Sequence, residues 1–208
     1  MTKKRFPKEV ILWGGTGQAK LVRPIIEASG AKVVAVFDDT KGLKSPFKDV
    51  PVYWGEKAFE DWIKVRDPKK IGFCIAIGNP HGAVRLKLEK KLQAKGLTPV
   101  DIVHASAIIA ENATIGGGCQ ILAGVVIGVE TVMGRQCIVN ANAGVDHECI
   151  LEDGVEIGPG ATLCGSVTVG RHSWIAAGAT VLPFIKIGKD VTVGAGAVVT
   201  KDIADGLT

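Results

Sequence analysis

The chain has 208 residues, 25 Lys and Arg against 21 Asp and Glu, 47% hydrophobic residues and only 5% aromatic ones. Apolar material on that scale fills one or two buried cores. Positive charge spread over several predicted elements, with few aromatic residues between, argues against nucleic acid as the partner. The apolar stretch Val10–Trp13 that follows the basic start Met1–Arg5 is too short for a signal peptide or a membrane span.

Charge divides the chain. Residues 1–102 carry 20 Lys and Arg against 11 Asp and Glu, and residues 103–208 carry 5 against 10, a net +9 and −5. The basic half suits either an anionic ligand or simply a lysine-rich solvated surface. The five cysteines, Cys74, Cys119, Cys137, Cys149 and Cys164, show no CxxC spacing, which reads as buried, reduced thiols in a cytoplasmic protein.

Val10-Ile-Leu-Trp13 predicts a short buried strand running into Gly14-Gly15-Thr16-Gly17-Gln18. A helix of about a dozen residues follows, with Leu21, Val22, Ile25 and Ile26 on its apolar face, and Gly30 ends it. Val33–Phe37 predicts a second strand ending in Asp38-Asp39, and Ile71–Ile77 a third ending in Gly78-Asn79-Pro80. A lysine-rich amphipathic helix is expected over roughly 81–95, before Val100–Val103 leads onward. This order implies a small Rossmann-like parallel sheet over residues 1–102, with ligands at the carboxyl ends of its strands. The glycines can bring backbone N–H groups to a phosphate, and the acidic pair stands where a ribose hydroxyl is usually met. A purely structural tight turn is the other reading. Half a dinucleotide site fits a nucleotide-linked metabolite.

From residue 103 the pattern changes. Every sixth residue from Ile109 to Val199 is aliphatic, sixteen anchors without a break, and no charge stands four residues after any of them. A hexapeptide period specifies a parallel β-helix, here an all-β prism over 103–208 with 18 residues per triangular coil. Its three corners differ in chemistry. The turns at Gly-Arg-Gln, Glu-Asp-Gly, Gly-Arg-His and Gly-Lys-Asp form an expected solvated corner. A second corner stacks Gly158-Pro159-Gly160, Ala176-Ala177-Gly178 and Gly194-Ala195-Gly196. It reads as a smooth trough for a slim extended ligand such as a pantetheine arm, or as no more than a set of tight turns. The third carries Asp146-His147-Glu148, followed one coil on by Cys164-Gly165-Ser166. A carboxylate bonded to one imidazole nitrogen leaves the other to accept a proton. Gly165, about 4.8 Å away by strand spacing, would leave room for an acyl group and expose an oxyanion donor. His81, His104 and His172 lack such surroundings. His147 and His172 fall on different corners, so no metal site is expected.

The combination of Gly14-Gly15-Thr16-Gly17-Gln18, Phe37-Asp38-Asp39, Ala76-Ile77-Gly78-Asn79, the hexapeptide domain and Asp146-His147-Glu148 closely resembles the PglD/NeuD-type sugar acyltransferases over nearly the whole chain. The resemblance implies a left-handed β-helix and a homotrimer with active sites between subunits. It implies acetyl transfer from acetyl-CoA to the 4-amino group of a nucleotide-linked 4-amino-4,6-dideoxy sugar in bacterial surface-glycan synthesis. O-acetylation of a sialic acid is the alternative. His147 would be the general base supported by Glu148. Thr16, Gly17, Gln18, Asp38, Asp39 and Gly78 would hold the nucleotide sugar, and acetyl-CoA would lie along Glu156, Gly165, Ala177 and Ala195. Glu156 stands where a relative can carry histidine. The sequence stops at Gly206-Leu207-Thr208, short of the family's common Gly-x-Pro-Ala tail, so either the contact at the adenine end of the coenzyme differs or the tail is trimmed.

Overall fold

A computed structural model describes residues 6–208, and the basic start Met1–Arg5 lies outside them. The described chain forms two compact units, one of the residues up to Ile77 with Lys87–Ile102, the other of Gly78–Leu86 with Val103–Thr208.

The first unit is a parallel sheet of β1 (Glu9–Trp13), β2 (Lys32–Asp38), β3 (Val52–Trp54), β4 (Ile71–Ile75) and β5 (Thr98–Pro99), in the order β3-β2-β1-β4-β5. Helix α1 (Gly17–Ala28) follows β1 and α2 (Gly55–Ile63) follows β3; of α3 (Gly82–Ala94), which comes after β4, the residues from Lys87 on belong to this unit. Consecutive residues of β1 and β4 are buried because both sheet faces are covered. One face packs Val10, Leu12 and Val36 against Ala19, Val22 and Ile26 of α1. The other packs Ile11, Trp13, Phe37 and Phe73 against Phe59 and Trp62 of α2 and Leu88 and Leu92 of α3. Strand β3 and helix α2 are not among the elements expected from the sequence. Their signals were present in the β-prone Val52-Tyr53-Trp54 and in the spacing of Phe59 and Trp62. Strand β4 ends at Ile75, two residues before the expected Ile77, although Ala76 N–H still bonds Trp13 O at 2.7 Å.

The second unit is the left-handed parallel β-helix. Seventeen two-residue strands, β6 (Ile102–Val103) to β22 (Val198–Val199), stack into three parallel sheets of six, five and six strands. Ile109, Ile127 and Val145 pair in succession, which fixes 18 residues per coil. The anchors from Ile121 to Val199 are buried in one continuous core. Within almost every turn the third residue after the anchor is left-handed. Glycine serves at Gly154, Gly160, Gly178 and Gly196, but Glu148, Ser166, His172 and Phe184 adopt φ of 56–64°. The ladder bonds that close each turn outweigh that local cost of order 1 kcal/mol.

Cys119, Cys137 and Cys149 point inward, as the period requires, and none of the three is solvent-accessible. They are more than small hydrophobes. Cys137 Sγ–H donates to Glu152 O and Cys149 Sγ–H to Cys164 O, both at 3.2 Å, as Thr131 and Ser173 hydroxyls do to Asp146 O and Gly188 O. These bonds satisfy turn carbonyls that the ladder leaves over.

One expectation is corrected here. The corner of Gly134-Arg135-Gln136 and Glu152-Asp153-Gly154 is not wholly solvated, since Gln136 and Gly154 are buried. The Gly78–Leu86 segment packs there. A Cβ on Gly82 would overlap Gly154 O and lie 2.9 Å from His172 Cα, so only glycine permits the approach.

Candidate active site

The turn between β13 (Gly144–Val145) and β14 (Ile150–Leu151) carries Asp146, His147 and Glu148. Asp146 Oδ1 accepts the His147 backbone N–H at 2.7 Å, and Thr131 Oγ–H holds Asp146 O at 2.9 Å. Gly128 lies beneath, close enough that a Cβ there would be 2.7 Å from His147 N. His147 Nδ1 meets Glu148 Oε2 at 2.9 Å, and Ser166 Oγ lies 3.5 Å from the same oxygen. With Nδ1–H donating to the carboxylate, Nε2 keeps its lone pair. Both side chains remain about half exposed, at 47% and 56%, so the base is open to a substrate. Gly165 stacks on His147 as the 18-residue period requires. The space above it holds the imidazole itself, because a Cβ on Gly165 would overlap ring atoms Cε1 and Nε2. The expected room for an acyl group is occupied by the base.

Backbone geometry gives the turns a shared property. The N–H two residues after the anchor makes no backbone hydrogen bond at Gly165, Ala177 or Ala195, whereas the next N–H, as in Gly178 to Pro159 O and Gly196 to Ala177 O at 2.9 Å, closes the coil. In the glycine-alanine corner Pro159, Gly160, Ala177, Gly178, Gly194, Ala195 and Gly196 are all exposed. Nothing lies within 4 Å of a Cβ placed on Gly160, Gly178, Gly194 or Gly196. Ala177 and Ala195 thus offer backbone donors along a strip without long side chains.

Glu156, placed along the coenzyme by the family resemblance, is 3% exposed. Its carboxylate accepts from Arg85 Nη1 at 3.2 Å, Asn79 Nδ2 at 3.1 Å and Asn140 Nδ2 at 3.2 Å. The Glu156 N–H is likewise taken, by Ser173 O at 3.0 Å. Arg85, which is fully buried, also donates from Nε to Gln136 O at 3.0 Å and from Nη2 to Gly154 O at 2.8 Å. Burial lowers the Arg85 pKa, and the Glu156 charge opposes that shift. Arg85, Asn79 and Asn140 are partners that the sequence pattern did not point to. One signal was available, since Glu156 and Lys186 are the only charged residues at the position before an anchor.

In the first unit the loop after β1 closes on the strand ends. Gly14 N–H bonds Phe37 O at 2.7 Å, and with φ +107° it lies where a Cβ would overlap Ala76 O. Asp38 Oδ2 accepts Gly15 N–H and Oδ1 accepts Thr40 N–H, both at 2.8 Å. Asp38 therefore shapes the loop, while Asp39 is exposed. Thr16 caps α1 without a side-chain bond, the first turn holds no acidic residue, and Gly17 has open space around it. Gln18 is half-buried and Thr16 exposed. This arrangement leaves an anion-compatible helix start. Gly78 belongs to the second unit, where a Cβ would be 3.7 Å from Glu156 Oε1.

Among the described residues no group of three or more His, Cys, Asp or Glu is placed to hold a metal ion, and no helix is long and apolar enough to cross a membrane. Burial pushes the Cys74 thiol up to about 12, which removes it as a nucleophile.

Residues 9–92 match the PglD N-terminal domain, and residues 166–201 match the bacterial transferase hexapeptide (six repeats). The chain is 32% identical over 105 residues to a GDP-perosamine N-acetyltransferase of Escherichia coli O157:H7, an alignment spanning 50% of this chain and 47% of that protein. Among solved structures it is similar to PerB from Caulobacter crescentus in complex with CoA and GDP-perosamine, at 32% identity and a TM-score of 0.85. That match covers 95% of this chain and 91% of the other. The acetyltransferase domain of PglB from Neisseria gonorrhoeae FA1090, in complex with acetyl coenzyme A, matches at 28% identity and a TM-score of 0.84, covering 96% and 94%.

Proposed function

The chain belongs to the PglD/NeuD-type family of sugar acyltransferases, and we propose that it moves acetyl from acetyl-CoA to the 4-amino group of a nucleotide-linked 4-amino-4,6-dideoxy sugar. The observation that carries this reading is the His147–Glu148 pair seated on Gly165, in a chain similar over its length to an enzyme solved with CoA and GDP-perosamine.

The amine attacks the thioester carbonyl, so an N–C bond forms and the C–S bond breaks. His147 Nε2 takes the proton released by the amine and returns it to the departing thiolate. Glu148 holds Nδ1–H and so selects the tautomer. The unbonded N–H of Gly165 is the candidate donor to the developing oxyanion. The pantetheine arm runs along Ala177 and Ala195, past Glu156. Thr16, Gly17, Gln18, Asp38, Asp39 and Gly78 hold the nucleotide sugar. Cys149, at the end of the His147 turn, points into the core, where burial raises its thiol pKa, so transfer is direct and kinetics are sequential.

The active unit is a homotrimer. Val126, Val129, Val132, Ile150, Leu182 and Phe184, on the sheets and turns around the His147 corner, are 38–76% exposed. A second copy that covers them would bring its glycine-alanine corner to His147. The setting is cytoplasmic, where acetyl-CoA and nucleotide sugars are made, in the synthesis of a surface glycan.

The test is a panel of nucleotide-linked 4-amino sugars and free sialic acids assayed for CoA release. Turnover confined to the amino sugars supports the proposal. Turnover of sialic acid alone would replace it with O-acetylation.

A further inference from the structure

The buried Arg85–Glu156 pair has no place in the chemistry above. A paired charge inside a protein gains little net stability over an apolar pair, so its retention calls for another explanation. The Arg85–Glu156 ion pair, with the hydrogen bonds that Arg85 and Asn79 donate, joins Gly78–Leu86 to the prism. Glu156 Oε2 holds Arg85, while Oε1 holds Asn79 and lies beneath Gly78. Arg85 in turn grips two turn carbonyls, Gln136 O and Gly154 O. Asn140, 8% exposed, donates to Glu156 Oε1 and to Ile157 O, which fixes the carboxylate from below. One carboxylate therefore sets the position of both ends of the Gly78–Leu86 segment.

We propose that Arg85 and Glu156 are positioning residues for nucleotide-sugar binding, holding Gly78 and Asn79 in the geometry that the substrate meets. The inference rests on Gly78 being part of the sugar-nucleotide site. Removing one charge strands the other in a buried site, and the segment relaxes by letting water in. Removing both charges leaves a neutral amide at position 156 that still accepts from Asn79 and Asn140.

Three variants test this in the full-length protein, with KM for the nucleotide sugar, kcat and calorimetric Kd for CoA measured on each. Arg85→Met should raise KM for the nucleotide sugar about tenfold or more while kcat and the CoA Kd move less than about threefold, the pattern of lost substrate binding. Arg85→Met/Glu156→Gln should recover most of that loss. Asn79→Ala, which leaves the ion pair intact, should raise the same KM and covers the case in which Arg85→Met does not fold. Unchanged KM in folded Asn79→Ala and Arg85→Met proteins would overturn the proposal. Equal losses for both ligands, without recovery in the double variant, would reduce the pair to a fold-stabilising contact and overturn it too. If the unaltered protein acetylates no nucleotide sugar, it is the proposed function that fails, and direct nucleotide-sugar calorimetry then tests the positioning.

Discussion

The imidazole of His147 and the backbone of Gly165 occupy neighbouring coils with no space between them for a Cβ. Gly165→Ala should therefore push the ring off its seat and disturb the Glu148 contact. A displacement near 1 Å at a catalytic group costs on the order of 10² in rate. A kcat reduced about that much in a protein with unchanged circular dichroism is the expected result, and wild-type turnover would show that the seat is not needed.

His147→Ala should lower kcat by about 10²–10⁴, the usual worth of a general base, and leave CoA affinity nearly intact. Glu148→Gln should cost less, since it removes orientation and charge but leaves the proton acceptor. Steady-state kinetics on the two folded variants decides the order. If Glu148→Gln is the more damaging, the base is not His147.

The free N–H at Ala177 sits on an exposed strip bounded by Gly178 and Pro159. Ala177→Trp should fill it and abolish CoA binding by calorimetry, while nucleotide-sugar binding persists. Because base and strip lie on different corners of one prism, the proposed trimer would join them between copies. Mixing His147→Ala and Ala177→Trp chains, each inactive alone, should restore part of the activity in verified mixed trimers. No recovery would put base and coenzyme on the same chain.

Acid stability is set partly in the first unit. The Arg23 guanidinium hydrogen-bonds Asp49 through both oxygens, at 2.7 and 2.5 Å, and stacks over Phe47. Chiefly through that hydrogen bond, the Asp49 pKa falls from 3.8 to about 2. A carboxyl depressed in the folded state contributes fully above its unfolded value and loses that contribution as pH falls through the folded one. Asp49→Asn should therefore flatten the stability curve between about pH 4 and pH 2, read from urea melts across that window. An unchanged curve would mean that the exposed pair is screened out.

The prism was legible from residues alone because its period is short. Each anchor pairs with the residue 18 further on, so Ile109, Ile127 and Val145 state the coil in plain sequence, and with it the stacking of His147 under Gly165. The strand–helix–strand order around Gly14–Gln18 was legible because β1 and β2 follow one another in the chain and pair in the sheet, whereas the pairing of β1 with β4 was not. Strand β3 and helix α2 are short, and their signals at Val52-Tyr53-Trp54, Phe59 and Trp62 gain weight only where Phe59 and Trp62 pack with Trp13 and Phe37. Only the tertiary structure decided the fate of Glu156. Its partners Asn79 and Arg85 are 77 and 71 residues away, and no period relates them. A carboxylate exposed by its place in the repeat became buried because Gly78–Leu86 crosses that corner, and charge burial depends on what covers a residue, which the local pattern does not encode.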